Sequence, residues 1–507
     1  MMLCHSRRRP RLFFEDEHED DDEDDMTSNA LPHDRASELS RRAFLRDCTG
    51  GLGLMALAHL LAGEGHGALG DLPATNPLAP KFPHFPAKAK NVIFLFQEGG
   101  PSQLDLYDPK PQLQRWQGKP LPPSMTKNLN FVFIKPSASV VASPRQFKPF
   151  GKSGTEFSDF IPHLASCADD LCVVRSMFTE AFNHHPGQSL LMSGSTQFGR
   201  PTLGAWATYG LGSESQDLPA FVVLSSGRGT SGGSNNWSSG FLPSTHAGVV
   251  FRNTGEPIPY LPSPVGFNFE TQRARIDAIR KLNEERYRET GDAEIASRIH
   301  SYELAFRMQM AAPGLLDFSN EPASILEMYG VNQEPTHPYA VNCLLARRMV
   351  ERGVRFVMLA HASWDDHQEL DKKLKKNCDM TDRPAAALIK DLKQRGLLDS
   401  TLVIWGGEFG RTPMGQFERL DEAVGRDHHP NCFSMWLAGG GIKGGQVVGK
   451  TDDLGLNVVE DKVHIHDLQA TILHCLGFDH TRLTYRHMGR DFRLTDVAGQ
   501  VVKKLLS

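Results

Sequence analysis

Residues 181–195 read AFNHHPGQSLLMSGS, which places His184 and His185 directly before Pro186 and an apolar run. Adjacent imidazoles at such a point suit metal ligation or nucleophilic work, although Pro in a first helical turn is also ordinary helix grammar. Downstream, three runs end in polar residues suited to chemistry: NVIFLF enters QEGGPSQLD, RFVMLA enters HASWDDHQ, and TLVIW enters GGEFGRTP. The segment GRDHHPN at 425–431 then adds two histidines ahead of CFSMWL. Asp365, Asp366, His367, Glu408, Asp427, His428 and His429 thus form a set of carboxylates and imidazoles carried by separate loops. That mixture of oxygen and nitrogen donors suits zinc, manganese or calcium, as one or two ions. Singly each residue is weak, because an acid after a strand commonly caps a helix. Their clustering at strand ends is what points to a metal. Arg411, just past Glu408, is placed to clamp substrate oxygens in bidentate fashion, and Asp427 to orient a histidine ligand.

The elements that must position these residues are legible as periodicity. NVIFLF (91–96), LCVVRS (171–176), FVVL (221–224), RFVMLA (355–360), TLVIW (401–405) and CFSMWL (432–437) are continuous apolar runs, as strands buried on both faces require. Helical periodicity occupies 158–169, 270–312, 336–352, 368–395 and 464–476. The alternation predicts one α/β domain over 88–500, a three-layer α/β/α sandwich with a mostly parallel central sheet. In such a sheet ligands collect beyond the carboxyl ends of the strands, where the candidate residues lie. Residues 225–267, rich in Gly, Ser and Pro, read as a long surface excursion. Asp467 reads as a helix start, with His464 and His466 at its mouth in packing roles.

A chain of 507 residues, 40% hydrophobic and 23% charged, is globular with ample core. Its formal charge of -5 is concentrated at the start, where residues 1–25 hold ten acids and four arginines; the rest is near neutral. Residues 1–37 therefore read as a disordered acidic extension, with Met26 as the expected true start. SRRAFLR, followed by the uncharged CTGGLGLMALAHLLAG, makes 38–70 a twin-arginine signal peptide, with cleavage near 65–72 and a Pro-rich linker over 71–87. The apolar stretch is short for a membrane span, so no stable membrane anchor is expected. The twin-arginine translocase is the expected partner, and the periplasm or the extracellular space the destination. The six cysteines after the leader contain no CxxC and no regular ladder, so neither a zinc knuckle nor a disulfide framework follows, and a Cys167–Cys172 bridge stays open. With no basic stripe, nucleic acid is not an expected partner.

The stretches KNVIFLFQEGGPSQLDLYDPKP, GRPTLGAWATYGLG, DRPAAALIKDLKQRGLLDSTLVIWGGEFGRTP, GRDHHPNCFSMWLAGGGIKGG and VHIHDLQATILHCLG resemble an exported bacterial family known only as domain of unknown function 1501. That family is related to the sulfatase and alkaline phosphatase superfamily, and the resemblance extends over 38–500. It implies an alkaline phosphatase/sulfatase-like fold. It also implies a metal site in which Glu98 stands where the superfamily has one or two aspartates, and Asp365 and His367 match a later ligand pair. Glu408 replaces another aspartate, Phe409 stands where a histidine ligand is expected, and His428 or His429 supplies the last imidazole. His184 falls at the position of the modified sulfatase cysteine and Gln188 at its arginine, so formylglycine chemistry is not expected. His184 is then a nucleophile or, by preference, a ligand together with His185. These expectations amount to a metal-dependent hydrolase of an anionic phosphate or sulfate ester, including esters on polysaccharide. The rival is a catalytically degenerate member that binds a sulfated or phosphorylated polymer at the cell surface.

Overall fold

The computed structural model describes residues 76–507 apart from 128–132, 136, 227–229, 253–256, 259–265, 267 and 417–422. The acidic extension, the twin-arginine leader and the first residues of the linker lie outside the described residues. From Asn76 onward the chain is docked: Lys81 N–H donates to Leu211 O, Phe85 N–H to Gly477 O, and Ala89 N–H to Cys475 O.

A nine-stranded sheet forms the centre. Its main strands are β1 (Asn91–Glu98), β2 (Leu171–Phe178), β3 (Phe221–Ser226), β4 (Val249–Phe251), β5 (Phe356–Ala362), β6 (Thr401–Gly406), and, after the hairpin β7 (Gly410–Gly415) and β8 (Arg426–His429), β9 (Phe433–Ala438). Two short strands, β10 (Gln446–Val448) and β11 (Val463–His464), both pair with β2. The order is β10-β2-β9-β6-β1-β5-β3-β4, and β9 alone runs against its neighbours. The six apolar runs read from sequence are all strands of this sheet, and the mostly parallel three-layer architecture is present.

The period of two along each strand explains the layers. Ile93, Leu95, Val357, Leu359 and Val403 face one core, against α5 (His337–Glu351) and α6 (Leu370–Gln394). Val92, Phe94, Met358, Leu402 and Ile404 face the other, against α1 (His184–Ser193), α2 (Leu203–Leu211) and α7 (Ile465–Cys475). Between these in sequence, α3 (Phe269–Thr290) and α4 (Ala293–Leu316) split the expected 270–312 helix at Gly291, whose φ of 64° ends the first.

Some local readings needed correction. Residues 158–169 hold a four-residue helical turn, Pro162–Ala165, and the start of a short 3-10 turn, Ala168–Asp170, in place of one helix, because Ser158 ends a hairpin strand. The 225–267 stretch is not all surface, since Phe251 is buried on β4 and Asn236, Leu242 and His246 are buried beside it. Cys167 and Cys172 are both free thiols. No helix of the described residues is long and apolar enough to cross a membrane.

Two buried histidines set an expected pH dependence. Burial, with Lys81 and His300 adding repulsion, lowers His246 to about 3, and burial lowers His361 to about 4. Both bind a proton more readily unfolded, where the value is about 6.5. Their stabilisation is therefore complete above pH 6.5 and is lost as pH falls towards 4, on the order of 3 kcal/mol each. Asp382, pushed up to about 7 by burial, works in the opposite sense. Substituting His246→Asn should accordingly flatten the acid limb: its urea midpoint should fall less between pH 6.5 and 4 than that of the unsubstituted protein.

Candidate metal centre

Four strands deliver residues to one edge. Glu98 ends β1, Asp365 and His367 follow β5, Glu408 follows β6, and His184 opens the helix reached from β2. Gly99 permits the convergence. Its φ is 115°, and a Cβ there would stand 2.4 Å from the Asp365 backbone nitrogen, so only glycine lets β1 pass this close. The hairpin β7–β8 then folds back over the edge, with His428 opposite Arg411.

One donor atom from each of His184, Asp365, His367 and His428 lies within 4.8 Å of the others. Asp365 is the hub. Its Oδ1 is 2.8 Å from His367 Nε2 and 3.3 Å from His428 Nε2, and its Oδ2 is 3.3 Å from His184 Nε2. The other nitrogen of every ring is tied down. His184 Nδ1 is 2.7 Å from Glu408 Oε1, His428 Nδ1 is 2.7 Å from the Phe182 carbonyl, and His367 Nδ1 meets the Gln416 side-chain oxygen. Outer partners of this kind orient ligating imidazoles and fix their tautomers. The Phe182 carbonyl can only accept, so His428 Nδ1 carries the proton and the neutral ring presents a bare lone pair at Nε2. That lone pair faces a carboxylate oxygen. Two acceptors in contact are repulsive, and a cation between them removes the repulsion. The donor set of three nitrogens and one oxygen fits zinc, for which tetrahedral bonds of about 2.0–2.2 Å separate ligand atoms by roughly 3.3 Å.

The electrostatics favour positive charge at this point. Burial opposes charge on His184, but the Asp365 and Glu408 carboxylates outweigh it and raise the imidazole to about 9. Burial likewise opposes charge on Asp365, yet the His184 and His367 imidazoles turned to it, with the Arg411 guanidinium beside it, hold its carboxyl well below the usual carboxylate range. His428 goes the other way, lowered to about 4 by burial and by Arg411 and the neighbouring imidazoles, against the pull of Asp365.

The remaining candidates are placed differently. Glu408 is fully buried and reaches the centre only through His184, while also accepting from Gly99 N–H at 3.1 Å. Glu98 accepts from Ser231 Oγ at 2.7 Å and from Gln188 Nε2 at 3.1 Å, behind the cluster. His185 is exposed and stands outside it. His429 points away, its Nε2 meeting Leu456 O at 3.0 Å, because consecutive residues of β8 face opposite sides. Asp427 holds backbone rather than a ring, accepting from His428 N–H at 2.8 Å and Phe133 N–H at 3.2 Å. Arg411 is no substrate clamp. It is fully buried, and its guanidinium donates to Gly100 O, Arg426 O, Gly99 O and Trp364 O and, at 2.6 Å, to Asp365 Oδ1. Phe409 packs its ring against His184 and His428, with centroids 5.2 and 4.4 Å away. His464 caps α7 and pairs with Glu180, and His466 meets Gly194 O. Sequence reasoning missed Phe182 and Gln416, whose roles carry no local signal.

No curated protein matches the chain. Solved structures that resemble it include the alkaline phosphatase from the Antarctic bacterium TAB5, at 11% identity over 70% of this chain and 92% of that one, with a TM-score of 0.29. A protein in the alkaline phosphatase superfamily from Vibrio parahaemolyticus is 10% identical over 85% and 76%, at 0.32. The PsFucS1 sulfatase from Pseudoalteromonas sp. is 12% identical over 84% and 71%, also at 0.32. A family model described as protein of unknown function (DUF1501) matches residues 89–506, the whole of the sheet and the site on its edge, and the chain belongs to that family.

Proposed function

We propose that this chain is an exported metal-dependent hydrolase of phosphate or sulfate esters. One observation carries the reading: the His428 lone pair and the Asp365 carboxylate face each other at 3.3 Å, with two further imidazoles turned to the same carboxylate. His184, Asp365, His367 and His428 would hold the ion. A divalent ion held there supplies Lewis-acid polarisation of an ester oxygen. Glu408 fixes the His184 ring, Arg411 holds the Asp365 carboxylate towards the three imidazoles, and Phe409 covers the rings on one side. The twin-arginine leader supports export through the twin-arginine translocase to the periplasm or beyond.

The decisive measurement is elemental analysis by mass spectrometry of the mature chain, purified without chelators or a histidine tag. Bound zinc, manganese or calcium is expected, unchanged in His185→Ala. A folded, metal-free protein would sink the reading. Glu408→Gln should weaken metal affinity by about 10- to 100-fold without abolishing it, the magnitude expected of an outer partner. Competition with a chelator measures this, and complete loss would instead make Glu408 a direct ligand. The rival reading, a degenerate member that binds an anionic polymer, draws on Phe409 and His184 standing where the superfamily has other groups. Metal bound without turnover of aryl phosphate or aryl sulfate would favour it.

A further inference from the structure

A cavity of about 470 Å³ opens between the carboxyl end of β5 and the first turns of α6. Its size falls within the roughly 300–1,000 Å³ of small-molecule sites. Asp365 forms part of the wall, but His184, His367 and His428 do not line the cavity, so it adjoins the metal centre without being part of it.

Two polar atoms of this wall are buried without a partner, His361 Nε2 and Asp366 Oδ1. Both residues are only 2% exposed. Buried polar atoms are almost always paired, so each asks for a partner from outside the chain. The His361 ring cannot turn away to find one, because its Nδ1 is held by Ser226 Oγ at 2.7 Å. Asn377 is close enough to interact with the ring, but its amide nitrogen is given to Ser363 O at 2.7 Å and it makes no hydrogen bond of good geometry to His361 Nε2. At the mouth the charge is positive. Lys372 and Lys375 pair with Glu369 and Asp379, whereas Lys373 and Lys376 turn to the cavity. Met380 supplies an apolar wall.

These features select among ligands. A hydroxyl both donates and accepts, so it satisfies His361 Nε2 in either tautomer as well as the Asp366 oxygen. An inorganic anion would meet Lys373 and Lys376 but would bring its negative charge, with no neutral ring between, against the Asp366 carboxylate. A neutral sugar would leave the lysines unused. We propose that this cavity binds an acidic sugar unit, its ring hydroxyls on His361 and Asp366 and its negative substituent between Lys373 and Lys376. The inference does not need the ion. If the hydrolase reading also holds, the shared Asp365 places the sugar beside the ester to be cleaved.

Isothermal titration of the mature protein with galacturonate, galactose and inorganic phosphate tests this. Galacturonate should bind measurably, and more tightly than either galactose or phosphate. The double change Lys373→Glu and Lys376→Glu should weaken it about tenfold or more, and Met380→Trp, which narrows the mouth, should abolish it. Equal binding of phosphate would reduce the site to a lysine patch, and equal binding of galactose would remove the acidic requirement; either overturns the proposal, as does no binding of galacturonate at millimolar concentration. His428→Ala removes a proposed metal ligand outside this cavity and should leave galacturonate affinity unchanged, so failure of the two readings can be told apart.

Discussion

Changing Asp365 to alanine is expected to empty the metal centre, with a loss of affinity greater than the roughly 100-fold upper range of outer-partner changes. The reason is geometric: His184, His367 and His428 each face this one carboxylate, at 3.3, 2.8 and 3.3 Å. Without it, three imidazoles remain with no anionic ligand among them, Glu408 acting only through His184, and binding of a divalent ion to neutral donors is much weaker. The change also strips Arg411 of its one anionic partner among the described residues. Because Asp365 is about a third exposed and Arg411 keeps its carbonyl acceptors, the stability cost should be only about 1–2 kcal/mol. Elemental analysis together with urea unfolding separates the two effects. Metal retained at its original stoichiometry would remove Asp365 from the ligand set.

Arg411→Lys should do the opposite, costing more stability than its conservative chemistry suggests. The guanidinium bridges Gly99, Gly100, Trp364, Arg426 and Asp365, joining the ends of β1 and β5 to the hairpin strand β8. An ammonium is a point donor and cannot reach this fork of acceptors. Several buried carbonyls are then left unpaired, for a loss of roughly 3–5 kcal/mol. Asp365 also loses the contact that holds it towards the histidines, so metal affinity should drop about tenfold. The urea midpoint and a chelator competition read the two separately. Unchanged stability would show that water or another side chain takes over the carbonyls, and would end the bracing role assigned to Arg411.

The fold was legible because its signals are local. Strands such as NVIFLF and TLVIW are apolar on both faces, which only a covered parallel sheet accommodates, and their polar exits must meet at one edge. Misreadings occurred where neighbours override pattern. Residues 158–169 carry helical periodicity, but the start of that segment pairs in a hairpin instead.

At the site, the residue types in the sequence by themselves determined that carboxylates and imidazoles, Asp365, Asp366, His367, Glu408, Asp427, His428 and His429, would gather at the strand ends, and the family resemblance singled out Asp365, His367 and one of His428 and His429. They did not determine which residues would face one another. His428 rather than His429 joins the cluster because β8 presents alternate residues to opposite sides, and GRDHHPN gives no sign of being a strand at all. Glu408 and Arg411 carry the right chemistry for a ligand and a clamp. Burial decides otherwise, tying the first to His184 and Gly99 and spending the second on backbone carbonyls. The unpaired atoms of His361 and Asp366 were equally invisible. Whether a polar atom has a partner depends on groups brought together from distant parts of the chain, and only the tertiary structure sets those distances.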